Sequence, residues 1–236
     1  VKAAGKRHPG REGLVNAVLR NAIRKKDAIP YPDPQNKPSL YVSVMHSHPL
    51  WLVEMWIKAL GLEEATELCR ANNEIPPLTM RVNSIKTNRR EAMARISSED
   101  GEAKETSFSP DGLTLTKATP SMRQAAYYRE GLVHPQDEAS QLISLLIDPQ
   151  PDQSVLDMCA GFGGKTTHLA ALMKNSGRIA AVDINGNKLA MLRELSLKLG
   201  ATNIDTLTAD AAGDLGLPSG ELFDRILVDV QCSGLG

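Results

Sequence analysis

The hydrophobic pattern along the chain changes character several times. Residues 11–27, "REGLVNAVLRNAIRKKD", put Leu14, Val18, Leu19, Ala22 and Ile23 at helical spacing, which predicts an amphipathic helix. Pro30, Pro32, Pro34 and Pro38 then mark a linker. Residues 48–73 read as two helices broken at Gly61, with Pro49 in the first turn, where its missing N–H is harmless. Trp51 and Trp56 are expected in the core of this helical part. From Pro76 the period shortens. "PPLTMRVN" predicts a short strand, and "TNRREAMARISSED" a helix capped by Thr87 or Asn88. Two weak strands follow, around 103–108 and 113–117, and "DEASQLISLLI" (137–147) is an amphipathic helix that opens with acids, as the helix dipole favours.

From Ser154 the chain alternates. Apolar runs "SVLDMCA", "RIAAVDI", "IDTLTAD" and "DRILVDV" are separated by a helix from Gly164 to Lys174 and by "NKLAMLRELSLKLG", closed by Gly200. Apolar strands spaced by helices predict an α/β, Rossmann-like parallel sheet with helices on both faces. Ligands in such sheets sit at the carboxyl ends of the strands. "CAGFGGK", Asp183, Asp210 and "DVQCSG" all fall there. The expected organisation is a helical part over 1–73, a small α+β domain over 76–130, and the α/β part over 131–236.

Composition changes this picture little. The chain has 236 residues, 42% hydrophobic and 23% charged, with a formal net charge of -1, so bulk charge points to no partner. Its distribution does. Lys2, Lys6, Arg7, Arg11, Arg20, Arg24, Lys25 and Lys26 face a single acid, Glu12, within the first 26 residues. That suggests a nucleic-acid contact, against the plainer reading of a solvated helix face. Cys69, Cys159 and Cys232 form no metal-ligand pair and no disulfide framework, which fits a reducing, cytoplasmic setting. No metal is expected. No apolar run reaches the length of a membrane span, and no secretory signal opens the chain. Both ends are abrupt, so a piece of a longer protein is expected.

Three ligands compete for the glycine loop. A phosphate-cradling loop needs G-x-x-x-x-G-K-[ST]. Gly164, Lys165 and Thr166 match its end, but Cys159 stands at the first glycine. A dinucleotide loop needs G-x-G-x-x-G, and Thr166 stands at the third glycine after Gly161 and Gly163. The third ligand is S-adenosyl-L-methionine. Glycines would let the backbone approach its methionine part, Asp183 would accept from the ribose hydroxyls, and Asp210 would sit near the adenine amino group. Asp183 also suits a nicotinamide dinucleotide, and Asp210 could equally cap the segment that follows. "DVQCSG" discriminates better, because it puts an acid, Asp229, and a thiol, Cys232, beside the loop. Carbon 5 of cytosine is a poor nucleophile. A thiolate adding to carbon 6 makes carbon 5 enamine-like, and a carboxylic acid helps at the ring nitrogen that gains charge. The competing reading of Cys232 is a buried, inert thiol.

"LVNAVLRN", "PPLTMRVN", "GLVHPQDEASQLISLLIDPQPDQSVLDMCAGFGGKTTHLA", "AVDINGNKL" and "DVQCSGLG" occur here in the order found in bacterial RNA cytosine-5 methyltransferases that act on small-subunit ribosomal RNA. The resemblance covers essentially the whole chain. It implies that residues 1–73 are part of a NusB-like helical RNA-binding domain and that 76–130 is the small domain preceding the catalytic one. It implies that Cys159, Ala160, Gly161, Phe162, Gly163, Gly164, Lys165, Asp183, Asp210 and Asp229 bind S-adenosyl-L-methionine. Cys232 matches the cysteine associated with product release. The family's nucleophile is a second cysteine, in a Thr-Cys segment on the next strand, which neither Cys69 nor Cys159 matches. Three features depart from the pattern: Phe162 and Gln231 each stand where the family usually has proline, and the sequence ends at Gly236, so a fragment lacking the nucleophile segment is expected. Phe162 adds bulk where the backbone should approach the cofactor. The expected partner is small-subunit ribosomal RNA, met by a monomer without membrane contact. Arg20, Arg24, Lys25 and Lys26 are expected to hold phosphates, and Arg81 and Asn83 to reach the substrate strand. The alternatives are a non-catalytic RNA-binding remnant and a nucleotide-dependent enzyme on the same sheet. If backbone recognition runs through the helical part, neutralising Arg24, Lys25 and Lys26 together should weaken RNA binding and flatten its salt dependence. Filter-binding titrations at several salt concentrations check this, and an unchanged affinity and slope would count against it.

Overall fold

The computed structural model describes residues 10–28, 30–119, 121–213, 215–217, 220–230, 232 and 234. The chain forms two compact units, Val1–Pro76 and Pro77–Gly236. Lys2, Lys6, Arg7 and Gln231 lie outside the described residues.

In the first unit, α1 (Glu12–Arg24) forms as its periodicity predicts, but none of its residues is buried, so its apolar stripe faces no core among the described residues. α2 (Pro38–Met45), α3 (Leu50–Leu60) and α4 (Leu62–Ala71) pack around Val42, Val53 and Cys69, with Trp56 against them. Gly61 joins α3 to α4 at φ 90°, a left-handed conformation that glycine adopts at little cost. Trp51 departs from expectation. It stands 59% exposed, because the buried face of α3 is set by Leu52 and Val53.

The second unit holds two sheets. β1 (Leu78–Val82), β2 (Glu102–Glu105), β3 (Gly112–Lys117) and β4 (Val133–Pro135) form an antiparallel sheet in the order β2-β3-β1-β4. α5 (Arg89–Ser97), capped by the Asn88 side chain, packs on it. So does the short α6 (Ala126–Arg129), through Tyr127, around Met80, Val82, Ile96, Leu113 and Val133. β4 lies past residue 130, so this sheet continues beyond the boundary expected from sequence. Met80 and Val82 fill that core, while Thr79 and Arg81 alternate onto the other face.

The second sheet is parallel, in the order β7-β6-β5-β8, from β5 (Ser154–Asp157), β6 (Arg178–Asp183), β7 (Ile204–Thr208) and β8 (Arg225–Leu227). The chain steps outward from β5 to β7 and then returns to the far side of β5. That reversal is a topological switch point, and a crevice opens beside it. α7 (Glu138–Ile147), α8 (Gly164–Leu172) and α9 (Gly186–Leu199) pack against Val155, Ile179, Ala181 and Leu227. The opposite face, Leu156, Ala180 and Val182, is covered by Leu215, Leu217 and Phe223 from the irregular segment after β7. Helices on both faces were expected. Among the described residues they cover one, because the segment between β7 and β8 supplies its apolar residues without forming a helix.

The layers are joined by side chains. Asn83, 3% exposed, donates through Nδ2 to the Gly131 carbonyl at 2.8 Å and the Leu199 carbonyl at 2.7 Å. Asn83→Ala would leave both carbonyls without this donor, so it should lower unfolding stability by about 3 kcal/mol. Urea denaturation should show this as a lower midpoint at an unchanged slope.

Candidate functional site

Each strand of the parallel sheet delivers an acid at or just past its carboxyl end: Asp157, Asp183, Asp210 and Asp229. The glycine loop connects β5 to α8. Gly161 (φ 56°) and Gly163 (φ 86°) are both left-handed, yet for different uses. A Cβ on Gly163 would come within 2.5 Å of Leu192 Cγ, so this glycine lets α9 close on the loop. A Cβ on Gly161 would meet nothing nearer than the Cys159 carbonyl at 4.0 Å, so its open side faces the crevice. The Gly161 N–H donates to Asp183 Oδ2 at 2.9 Å, and the Asn185 N–H to Oδ1 at 2.8 Å. Each carboxylate oxygen keeps a second lone pair.

Two cavities share this loop. One, of about 520 Å³, has Cys159, Asp183, Asp210, Asp229 and Cys232 among its walls. Its size is ordinary for a small-molecule site. The other, of about 490 Å³, is walled in part by His134, Gln136, Asp157, Lys165 and Asp229. Phe162 and Gly164 belong to this second cavity. The Phe162 ring is 57% exposed, with Lys188 Nζ 5.8 Å from its centroid, so its bulk turns outward and leaves both cavities open. Ala160 is buried beneath the loop against Ala181 and Leu189.

Charge in the crevice is arranged tightly. Lys165 pairs with Asp229 Oδ2. Asp157 is buried and accepts from the Thr166 hydroxyl at 2.7 Å through Oδ2. Burial pushes its pKa up to about 6, against the Thr166 and Cys159 hydrogen bonds and the charge of Lys165. Burial, then the charges of Asp157, Asp183 and Asp229, also push the Cys159 thiol up, so it is poorly suited to act as a thiolate. Cys232 is exposed at the rim, and its Sγ accepts from the Gly234 N–H at 3.4 Å.

Arg81 and Asn83 do not stand where an RNA strand could reach them. Arg81 is 1% exposed. It donates to the Gln136 Oε1 and the Gly164 carbonyl through Nη1, and to Thr167 Oγ1 at 3.0 Å through Nη2. Arg81 on β1 and Asn83 just past its end face the neighbouring layer, so their partners are protein groups. Burial brings the Arg81 pKa down to about 9, opposed by Asp111, which also approaches His168 Nε2 at 3.5 Å. Arg20, Arg24, Lys25 and Lys26 are exposed on and just after α1. His134 and Gln136 went unassigned in the sequence. Their signal was polar residues between an apolar pair, Leu132 and Val133, and the Asp137 helix cap.

Two family models match this chain. One is described as 16S rRNA methyltransferase RsmB/F, over residues 144–236. The other is the ferredoxin-like domain of RsmF/B-like methyltransferases, over residues 48–122. The chain belongs to the RsmB/F methyltransferase family. The probable ribosomal RNA small subunit methyltransferase B of Bacillus subtilis is 37% identical over 97% of this chain and 50% of that protein. The ribosomal RNA small subunit methyltransferase B of Pseudomonas syringae pv. tomato is 35% identical over 97% of this chain and 49% of its own length. The chain thus spans about half the length of these curated relatives. Among solved structures, a methyltransferase homolog protein from Pyrococcus horikoshii superposes with a TM-score of 0.75 at 28% identity, over 84% of this chain and 64% of that one. The fold is therefore a Rossmann-like S-adenosyl-L-methionine-dependent methyltransferase core carrying a small ferredoxin-like domain. No described helix is long and apolar enough to cross a membrane.

Asp157 carries a pH signature. Its pKa rises on folding from an ordinary 3.8 to about 6, so the folded state favours the protonated form. Its contribution to stability is full below the unfolded pKa and is lost as pH rises through the folded one. Between about pH 4 and 6, Asp157→Asn should lose less stability with rising pH than the parent chain does. Urea unfolding across that range checks the difference in slope.

Proposed function

We propose that the protein to which this chain belongs transfers a methyl group from S-adenosyl-L-methionine to carbon 5 of a cytosine in small-subunit ribosomal RNA. The observation that carries this reading is the common crevice: Asp183, Asp210, Asp229 and Cys232 all stand on its wall. The residues fit the cofactor. Gly161 leaves open space toward the crevice, Asp183 can accept from vicinal hydroxyls, and Asp210 reaches the same cavity. The cofactor supplies an electrophilic methyl group when bound. Carboxylates at the ends of all four strands also suit a ligand that carries a positive charge.

Asp229 would hold the proton or hydrogen bond at the ring nitrogen that gains charge once a thiolate has added to carbon 6. Lys165, paired with Asp229, would fix the orientation of its carboxyl. Cys232 would act at release of the methylated base, the role its resemblance implies. The first nucleophile would be the second cysteine that the resemblance implies, in a Thr-Cys segment; burial and neighbouring acids push the Cys159 thiol up, and Cys69 is buried among α2, α3 and α4. The helical part would be NusB-like and would grip RNA phosphates through Arg20, Arg24, Lys25 and Lys26, with a target base in a loop or turned out of its stack.

Calorimetry on this chain should show binding of S-adenosyl-L-methionine and none of ATP or NAD. Asp183→Ala should weaken that binding about 100-fold, the loss of charge-assisted hydrogen bonds. The full-length protein, given methyl-labelled cofactor and small-subunit ribosomal RNA, should produce 5-methylcytosine. Cofactor binding without 5-methylcytosine would support a non-catalytic remnant instead, and ATP or NAD binding a nucleotide-dependent enzyme.

A further inference from the structure

Gln136 sits between β4 and α7 with all but one of its polar groups committed. Its N–H donates to the Thr79 carbonyl at 3.2 Å, and its own carbonyl accepts from Gln141 Nε2 at 2.9 Å. Its side-chain Oε1 accepts from Arg81 Nη1. A guanidinium has donors and no acceptor, so the amide oxygen must face it and the amide nitrogen must turn away. That nitrogen lies 3.9 Å from where a Gly164 Cβ would be, has no hydrogen-bond partner among the described residues, and belongs to a residue lining the 490 Å³ cavity. Arg81 thus aims a single N–H₂ donor at the space walled by Asp157, Lys165 and Asp229.

We infer that Gln136 determines substrate specificity, its amide N–H₂ donating to a neutral carbonyl oxygen of the nucleobase that enters this cavity, the carbonyl at position 2 of a pyrimidine. The inference rests on the reading given under Proposed function. The surroundings favour a neutral acceptor over an anion. Lys165, the cavity's one cationic side chain among the described residues, is paired with Asp229, and an anion would meet the Asp157 carboxyl. Phe162, Met191 and Leu195 add apolar surface suited to a flat ring. Gln136 does not line the neighbouring crevice that holds Asp183 and Asp210, which separates it from the cofactor's ribose and adenine. A purine offers no ring carbonyl in the same place, so the donor would help select a pyrimidine.

Gln136→Glu separates this role from a structural one. It keeps the shape and the acceptor that Arg81 needs, and replaces the free donor by an acceptor. In the full-length protein, kcat/KM for RNA should fall about 100-fold, as for a site whose hydrogen-bond donor is lost. The Kd for S-adenosyl-L-methionine and the thermal midpoint should stay unchanged. Methylation at the parent rate would overturn the inference. So would a cofactor Kd that weakens in step with activity, because the amide would then serve the cofactor or the fold. A parent protein that makes no 5-methylcytosine would sink the wider reading, and this inference with it; 5-methylcytosine made equally well by parent and variant would sink the inference alone.

Discussion

A guanidinium buried as deeply as Arg81 is costly unless protein groups take over from water. Arg81 meets that demand through Nη1 and Nη2, with Gln136, the Gly164 carbonyl and Thr167, and with the charge of Asp111 nearby, while its buried Nε has no hydrogen-bond partner among the described residues. With a pKa of about 9 it remains charged at neutral pH. The consequence reaches beyond β1. Gly164 is the first residue of α8 and directly follows the left-handed turn of the glycine loop. A side chain of the ferredoxin-like sheet therefore fixes the backbone on which the glycine loop rests. Two residues on, Asn83 binds the Leu199 carbonyl in the last turn of α9. Arg81 near the end of β1 and Asn83 just past it thus anchor both helices that pack against the loop, and the small domain is part of the site's foundation.

The crevice itself follows from topology. Because β8 lies on the opposite side of β5 from β6 and β7, the loops after β5 and β8 diverge and leave space between them. The acids there are not equivalent. Asp157 is buried and held toward its protonated form, while Asp229 is half exposed and paired with Lys165. Similar carboxyl groups in one crevice are thereby given different environments, which suits one to structure and the other to contact with a ligand.

Much of this was legible in the sequence, because the signals were local. Apolar runs spaced by helices gave the parallel strands, and Gly200, at φ 77°, closes α9 as its position implied. What was not legible depended on partners distant in sequence. Arg81 and Asn83 read as substrate contacts, since polar residues on a short strand look the same whether they meet water, RNA or a neighbouring layer. β4 is only Val133–Pro135, too short to show a period, so the small sheet was ended too early. Helices on both faces were expected, yet the segment after β7 covers one face with Leu215, Leu217 and Phe223, whose spacing carries no helical signal. Trp51 was expected in the core with Trp56, while the packing of α3 is decided by Leu52 and Val53.

Phe162 shows how a departure from a family pattern can be absorbed. It lies between two glycines whose left-handed conformations set the path of the loop. Gly163 is pinned by the approach of Leu192, and the Gly161 N–H is held by Asp183, so the turn is fixed on both sides of residue 162. A proline would restrict that backbone through its ring. Here neighbouring contacts supply the restriction, and the side chain at 162 is free to point away. Its ring lies beside Lys188 and lines the second cavity, where it adds apolar surface. The substitution therefore leaves the crevice walled by Asp183 and Asp210 untouched and alters the space next to it.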